Sequence, residues 1–125
     1  MFQTSAQFNG ILPMLYSKKE FIQQINHILL QNLRNESFSI AQLAQEVNLS
    51  RSQLHRRMKG ITQLSATDYV RQFRLRLAAK LIRNQHKSIS QIAYAVGFNN
   101  LSYFSRAFKK EFGLTPQAFF KTHNN

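Results

Sequence analysis

Two stretches of the chain carry closely matching polar side chains at the same spacing. The first set is Ser52, His55, Arg56 and Lys59, and the second is Ser102, Ser105, Arg106 and Lys109. Positions i, i+3, i+4 and i+7 lie on one face of a helix. A small hydroxyl near a helix start can approach a base edge or a phosphate, arginine can pair with guanine, and lysine suits a phosphate. The alternative is two ordinary exposed helix faces.

The two faces belong to a longer internal repeat, residues 39–59 and 88–109. Its offset is 49 residues before the turn and 50 after it, so the second turn holds one extra residue. The identical pairs are Ser39/Ser88, Ile40/Ile89, Gln42/Gln91, Ala44/Ala93, Val47/Val96, Ser52/Ser102, Arg56/Arg106 and Lys59/Lys109. Docking of two short helices explains the apolar matches, but it does not require the last three polar pairs.

Helix-start signals and apolar periodicity predict an all-α fold. Ser or Thr stands ahead of each apolar pattern, at Ser17, Ser39, Ser50, Ser65, Ser88 and Thr115, and Asn99 or Asn100 caps the sixth helix. No strand alternation of useful length occurs. The seven predicted helices cover about 18–34, 40–47, 51–60, 66–84, 89–96, 100–111 and 116–122.

The same periodicity predicts which side chains face inward. The inward residues are Leu54, Met58 and Ile61 in the third helix and Leu101, Phe104, Phe108 and Phe112 in the sixth. The fourth helix carries an apolar stripe of Tyr69, Phe73, Leu77 and Leu81. Its cations are Arg71, Arg74, Arg76, Lys80 and Arg83, which we expect to contact phosphates or solvent. Asn48, Gly97 and Gly113 stand where a positive φ is needed.

These elements divide the chain into four parts. Residues 1–16 are expected to be a linker or the tail of an upstream domain. Residues 17–64 form a first helix-turn-helix subdomain, 65–84 a linker helix, and 85–125 a second subdomain. The linker helix is about 28 Å long at about 1.5 Å per residue. That length is close to the ~34–36 Å between successive major grooves on one side of a duplex.

The positive charge is confined to one part of the chain. Residues 1–48 hold three basic and three acidic residues, whereas residues 49–125 hold 14 basic residues against Asp68 and Glu111, a net charge of +12. This favours a polyanionic partner over a basic face kept for solubility. The four histidines are scattered and cysteine is absent, so neither a metal site nor a cofactor is expected. Asp68 is better explained as a first-turn helix acid and Glu111 as a late-helix surface residue, and no catalytic motif occurs, so we do not expect an enzyme.

Two segments carry a family resemblance. Residues 89–98, ISQIAYAVGF, and 102–116, SYFSRAFKKEFGLTP, resemble the DNA-binding domain of the AraC/XylS family of bacterial transcription regulators. The resemblance covers about residues 19–120 and implies two helix-turn-helix units that bind neighbouring major grooves. By position it implies base-reading roles for Ser52, His55, Arg56, Leu101, Ser102, Ser105 and Arg106. The phosphate contacts expected beside them are Arg51, Lys59, Tyr103, Lys109 and Lys110.

The first copy departs from the family pattern, because Gln63 and Ser65-Ala66 replace the usual Gly and Ser-Pro. We therefore expect the Gln63 turn to be strained or differently shaped. Residues 21–59, especially 50–56, SRSQLHR, also resemble the output domain of hybrid two-component regulators. The two resemblances imply double-stranded DNA as partner and an upstream receiver or sensor domain. Because the first helix is amphipathic and nearly neutral, we expect it to dock such a domain or RNA polymerase. We expect no small-molecule substrate.

Other readings of the basic surface stay open at this point. A basic protein–protein or anionic-surface module is the main alternative, and RNA binding is weaker because the phenylalanines lie on core faces. No apolar run reaches the ~18–20 residues of a membrane span, so we do not expect membrane contact. No clear signal peptide is present, and we therefore expect a bacterial cytoplasmic setting.

Overall fold

The computed structural model describes residues 12–84 and 87–123, with side chains described from Lys18 onward. Within these ranges the protein consists of α-helices without strands, as predicted. The helices are α1 Leu12–Gln31, α2 Ile40–Glu46, α3 Arg51–Thr62, α4 Ala66–Asn84, α5 Ile89–Ala95, α6 Leu101–Phe112 and α7 Pro116–His123. In this part of the chain, none of the helices is both long enough and apolar enough to cross a membrane.

Side-chain caps begin six of the helices at the predicted residues. Ser39, Ser50 and Ser88 each form a reciprocal capping box with the glutamine three residues later. The other acceptors are Ser65 Oγ, Asn100 Oδ1 and Thr115 Oγ1, each bonded to a backbone N–H three residues on. Because these caps satisfy backbone groups that the helix leaves unpaired, they fix where α2 to α7 begin.

The predicted start of the first helix is wrong. Helix α1 begins at Leu12, so Ser17 lies in its interior and is not an N-cap, and the predicted boundary between residues 16 and 17 falls inside the helix. Pro13 is tolerated because the first helical N–H groups have no intrahelical partner. The helix ends at Gln31, and Asn32 starts a turn. The rest of the predicted linker, residues 1–11, lies outside the described residues.

Helix α4 is shared by two apolar cores. The first core contains Phe21, Ile25, Ile28, Leu29, Leu43, Ala44, Leu54, Met58 and Ala66. The second contains Leu75, Ala78, Ala79, Ile82, Ile92, Ala93, Val96, Phe98, Phe104, Phe108 and Phe119. The N-terminal half of α4 therefore packs in the first helix-turn-helix unit and its C-terminal half in the second.

This sharing corrects the predicted apolar stripe of α4. Tyr69, Phe73, Leu77 and Leu81 are only half-buried. The buried residues are Ala66, Arg74, Leu75, Ala78, Ala79 and Ile82. A single stripe is the signature of a helix packed on one side, whereas α4 buries different faces against two cores.

The turn residues adopt the predicted positive φ. Asn48 and Gly97 have φ of 59° and 99° in the two helix-turn-helix turns. Gln63 ends α3 with φ 68°, and Gly113 ends α6 with φ 80°. Both of these residues donate their N–H to the lysine carbonyl four residues earlier. The Gln63 turn therefore has the same shape as the Gly113 turn, so the expectation of a different shape is wrong. The expectation of strain agrees with the structure, because Gln63 has a side chain and adopts a left-handed backbone conformation.

Candidate nucleic-acid interface

Helix α3 presents its predicted polar face to solvent. Leu54 and Met58 are fully buried in the first core, and Ile61 is half-buried. The opposite side carries the exposed residues Ser52, His55, Arg56 and Lys59. The apolar residues thus anchor one side of α3, and the capping box at Ser50 fixes the residue at which the helix begins.

Four predicted residues of α3 are brought together in one surface depression of about 580 Å³. They are Arg51, Ser52, His55 and Arg56, and the remaining wall is formed by Ile40, Ala66 and Thr67. Thr67 stands in the first turn of α4, so the polar face of α3 continues onto the linker helix. Lys59 lies outside this depression, farther along the helix.

Helix α6 presents the corresponding face from the second core. Phe104 and Phe108 are fully buried, and Phe112 is half-buried. The predicted residues Ser102, Tyr103, Arg106, Lys109 and Lys110 are exposed, and Ser105 is half-buried.

Leu101 corrects the packing prediction for α6. It is 38% exposed, so its predicted inward position is wrong. The reason is that Leu101 is the first residue of the helix, and the core contacts of α6 begin one turn later, at Phe104. Its exposure leaves the base-reading role implied by the resemblance open.

A second depression lies between α6 and α4, and its lining includes a cation of the linker helix. It has a volume of about 530 Å³ and is lined by Arg71, Leu75, Tyr103, Arg106, Ala107, Lys110 and Glu111. Arg71 comes from α4, where the sequence left its role open between phosphate and solvent. Its position beside Arg106 and Lys110 gives this depression three cationic side chains. Ser102, Ser105 and Lys109 lie outside it.

Arg71 is held in place by its neighbours. Its Nη2 donates to Asp68 Oδ1 at 2.6 Å. Burial works to lower the pKa of Arg71, but Asp68 and the Tyr103 hydroxyl outweigh it, so the pKa is raised and the guanidinium stays charged. The same contact with Arg71 holds the pKa of Asp68 below its ordinary value. Asp68, predicted as a first-turn helix acid, lies in the first turn of α4 and orients a cation of this depression.

Glu111 occupies the predicted surface position and joins α6 to the linker helix. Gln72 Nε2 donates to Glu111 Oε2 at 3.2 Å, and Arg76 Nε lies 3.9 Å from the same oxygen. Exposed pairs of this kind contribute little to stability. Their effect is to neutralise an acid that would otherwise stand free beside the cations of α6.

Arg74 does not contact solvent or phosphate as predicted. It is only 8% exposed, and Nη1 donates to Leu33 O at 2.5 Å and to Val96 O at 2.7 Å. The helical period places it on the face of α4 that also carries Ala78, which is fully buried. Arg74 is therefore unavailable to a polyanion.

Comparison with known proteins agrees with this arrangement. A protein-family model described as a helix-turn-helix domain matches residues 43–122, about two thirds of the chain. The chain belongs to the AraC/XylS-type helix-turn-helix family. The family consists of DNA-binding domains of transcription regulators.

Relatives in the family occur as parts of longer proteins. A histidine kinase of Formosa agariphila is 33% identical over 101 residues, which are 81% of this chain and 7% of that protein. The Msm operon regulatory protein of Streptococcus mutans is 34% identical over 109 residues, which are 87% of this chain and 39% of that protein. The chain thus spans well under half the length of these curated relatives.

Solved AraC-type structures share the fold. The C-terminal domain of the two-component response regulator yesN from Fusobacterium nucleatum has a TM-score of 0.72 at 26% identity, over 81% of this chain and 98% of that one. An AraC-type transcriptional regulator from Chromobacterium violaceum has a TM-score of 0.77 at 26% identity, over 88% and 97% of the two chains.

Proposed function

We propose that this domain binds double-stranded DNA sequence-specifically and regulates transcription, with α3 and α6 inserted in successive major grooves. The observation that carries the proposal is the pair of exposed polar faces on α3 and α6, which stand on separate cores but match in residue type. Packing explains the buried sides of these helices and leaves the match of Arg56 with Arg106 unexplained.

The linker helix supports two simultaneous contacts. Helix α4 has 19 residues, which gives a length of about 28 Å. Each of its halves is packed into one core, so it connects the two units as a stiff element. This length is close to the ~34–36 Å that separates successive major grooves on one side of B-form DNA.

The roles of individual side chains are part of the proposal. The base-reading set is Ser52, His55, Arg56, Leu101, Ser102, Ser105 and Arg106, all of which are exposed or half-buried. The phosphate-binding set is Arg51, Lys59, Tyr103, Lys109 and Lys110, which are all exposed. To the second set we add Arg71, because it lies in the same depression as Arg106 and Lys110.

The relatives support a proposal for the wider setting of this domain. Both a histidine kinase and response regulators carry similar domains. We propose that this domain is likewise the output part of a larger regulator, in the bacterial cytoplasm, with an upstream receiver or sensor domain and RNA polymerase as protein partners. We propose no catalytic activity for it.

Selection of bound duplexes from a random pool, followed by footprinting, tests the proposal. We expect one enriched sequence and a protected region of about two helical turns, because the two units contact successive grooves. Anionic vesicles at matched charge are the control. Equal binding to vesicles and to selected DNA, with no enriched sequence, would support a basic anionic-surface module and refute the proposal.

A matched pair of variants on α6 separates base reading from phosphate binding. Arg106→Ala should weaken binding to the selected duplex by ~1–3 kcal/mol and relax the preference at one base pair. Lys109 lies one turn farther along the same exposed face. Lys109→Ala should weaken binding to every duplex by the same factor, whatever its sequence. Repeating the selection with each variant measures both effects, and an unchanged base preference in Arg106→Ala would remove that residue from the reading set.

A further inference from the structure

Within residues 18–84 and 87–123, Arg74 is the only charged side chain that is buried. It also lies outside the salt bridges found in this part of the chain, which join Arg71 to Asp68 and Arg76 to Glu111. A buried cation without a carboxylate is costly unless other groups solvate it. The groups that solvate Arg74 therefore indicate why it is there.

Those groups are two backbone carbonyls from different helix-turn-helix units. Leu33 follows the C-terminal end of α1, whose buried residues belong to the first core. Val96 is the residue that ends α5, in the second core. Carbonyls at helix C-termini carry partial negative charge and lack intrahelical partners, so they suit a cation. One guanidinium nitrogen thus joins the end of α1 to the end of α5.

Gly97 provides the space for this contact. A Cβ at this position would overlap Arg74 Nη1 and Leu33 O, and the φ of 99° is itself unfavourable for any other residue. Asn48 stands at the matching position of the first unit. Two features therefore favour glycine at position 97. One is the positive φ, and the other is the guanidinium of Arg74, which occupies the space of a Cβ.

We propose that Arg74 is a positioning residue, which fixes the orientation of the first helix-turn-helix unit relative to the second and so the spacing at which α3 and α6 meet DNA. The effect of Arg74 on DNA binding rests on the proposed function, whereas its effect on the orientation of the two units does not. Apart from the shared helix α4, the Leu33 side chain and the Arg74 bonds tie the end of α1 to the second unit. A planar guanidinium directs its donors rigidly, which an apolar side chain or a flexible ammonium does not.

A distance measurement without DNA tests the structural part. The chain contains no cysteine, so spin labels can be placed uniquely at exposed Gln24 in α1 and Gln117 in α7. We expect a narrow distance distribution in the otherwise unchanged protein and a wider one in Arg74→Met. Arg76→Met is the matched control, because Arg76 is an exposed arginine on the same helix, and it should keep the narrow distribution.

Far-ultraviolet circular dichroism must show that Arg74→Met is folded. If it is not, Arg74→Lys replaces it, and an intermediate width is expected because the ammonium keeps the charge without the fixed geometry. A distribution as narrow as that of the wild type, in whichever of the two variants is folded, overturns the proposal.

Half-site spacing tests the consequence for DNA. In the duplex selected by the wild-type protein, a half-turn insertion between the two protected regions should lower wild-type affinity by about 100-fold, because the second contact is lost. Arg74→Met should bind the original duplex more weakly and lose less than about tenfold on insertion, since its units are not held at one spacing. An equal loss in both proteins overturns this consequence. If the wild-type protein binds no duplex, the proposed function fails, and the distance measurement still decides the role of Arg74.

Discussion

The arginines of this domain lie in two kinds of surroundings, and local sequence predicts only one of them. Arg56 and Arg106 are exposed, as the position of the apolar residues on their helices predicts. Arg74 is buried because two carbonyls from distant parts of the chain meet beside it. Such a meeting depends on how two units dock, so no local pattern around residue 74 could reveal it.

Tyr69 provides a pH-dependent test of the contact between α4 and α1. Its hydroxyl donates to Asn26 Oδ1 at 2.6 Å, and partial burial raises the pKa of Tyr69 above its ordinary value of about 10. Tyr69→Phe should lower the free energy of unfolding by about 1 kcal/mol at pH 7, the typical net contribution of one hydrogen bond.

The contribution of Tyr69 to stability depends on the neutral phenol. It is fully present below pH 10 and is lost as the pH rises through the raised pKa of the folded state, because the unfolded chain ionises more easily. Urea unfolding of both proteins between pH 7 and 11 measures the difference, which should shrink at the alkaline end. A difference that is constant or grows with pH would contradict the assignment.

At the element scale, local signals predicted most of the fold. The serine, threonine and asparagine caps fixed the starts of α2 to α7, because each cap needs only one side chain and the backbone N–H three positions later. The start of α1 and the buried face of α4 were not predicted. Ser17 has the pattern of a cap but lies within a longer helix, and the face of α4 changes along its length because two cores contact it.

The residues that end α3 and α6 can be exchanged to measure the strain in the left-handed conformation. Gln63 and Gly113 share a left-handed conformation and the same hydrogen bond, but only glycine adopts it without strain. Gln63→Gly should raise the free energy of unfolding by about 0.5–1 kcal/mol, and Gly113→Gln should lower it by about 1 kcal/mol.

Space is not the cause at Gly113, because a Cβ there would meet nothing within 4 Å. Chemical denaturation of the two single variants and of the double exchange measures both effects. Since the turns lie in different units, the changes should add, and a strongly non-additive double variant would indicate that the turns are coupled.

The whole molecule combines a neutral first part with a cationic remainder. All of the net charge of +12 arises after residue 48, where the exposed faces of both α3 and α6 lie. The sequence alone located this charge. It did not locate Asp68 and Glu111 beside the cations of α4, where they orient Arg71 and contact Arg76.

The charge distribution predicts a steep salt dependence. Five of the proposed phosphate contacts, Arg51, Lys59, Arg71, Lys109 and Lys110, are cationic, and each displaces about 0.9 counterion. A plot of log affinity against log salt concentration should therefore have a slope of about −4.5. Fluorescence anisotropy between 50 and 300 mM salt measures it. A slope near zero would mean that these cations do not meet phosphates.

The extra residue in the second turn has a consequence for the orientation of the bound site. Leu49 and Phe98 make the same backbone hydrogen bond at the matching point of each turn, so the added residue is Asn99, just before the Asn100 cap of α6. The two units are thus tandem and unequal, with His55 where the other has Ser105. A single domain of this kind has no internal twofold axis, so the proposed DNA site has a polarity. Under the proposed function, reversing the site relative to a promoter would turn a different side of the domain toward the start of transcription.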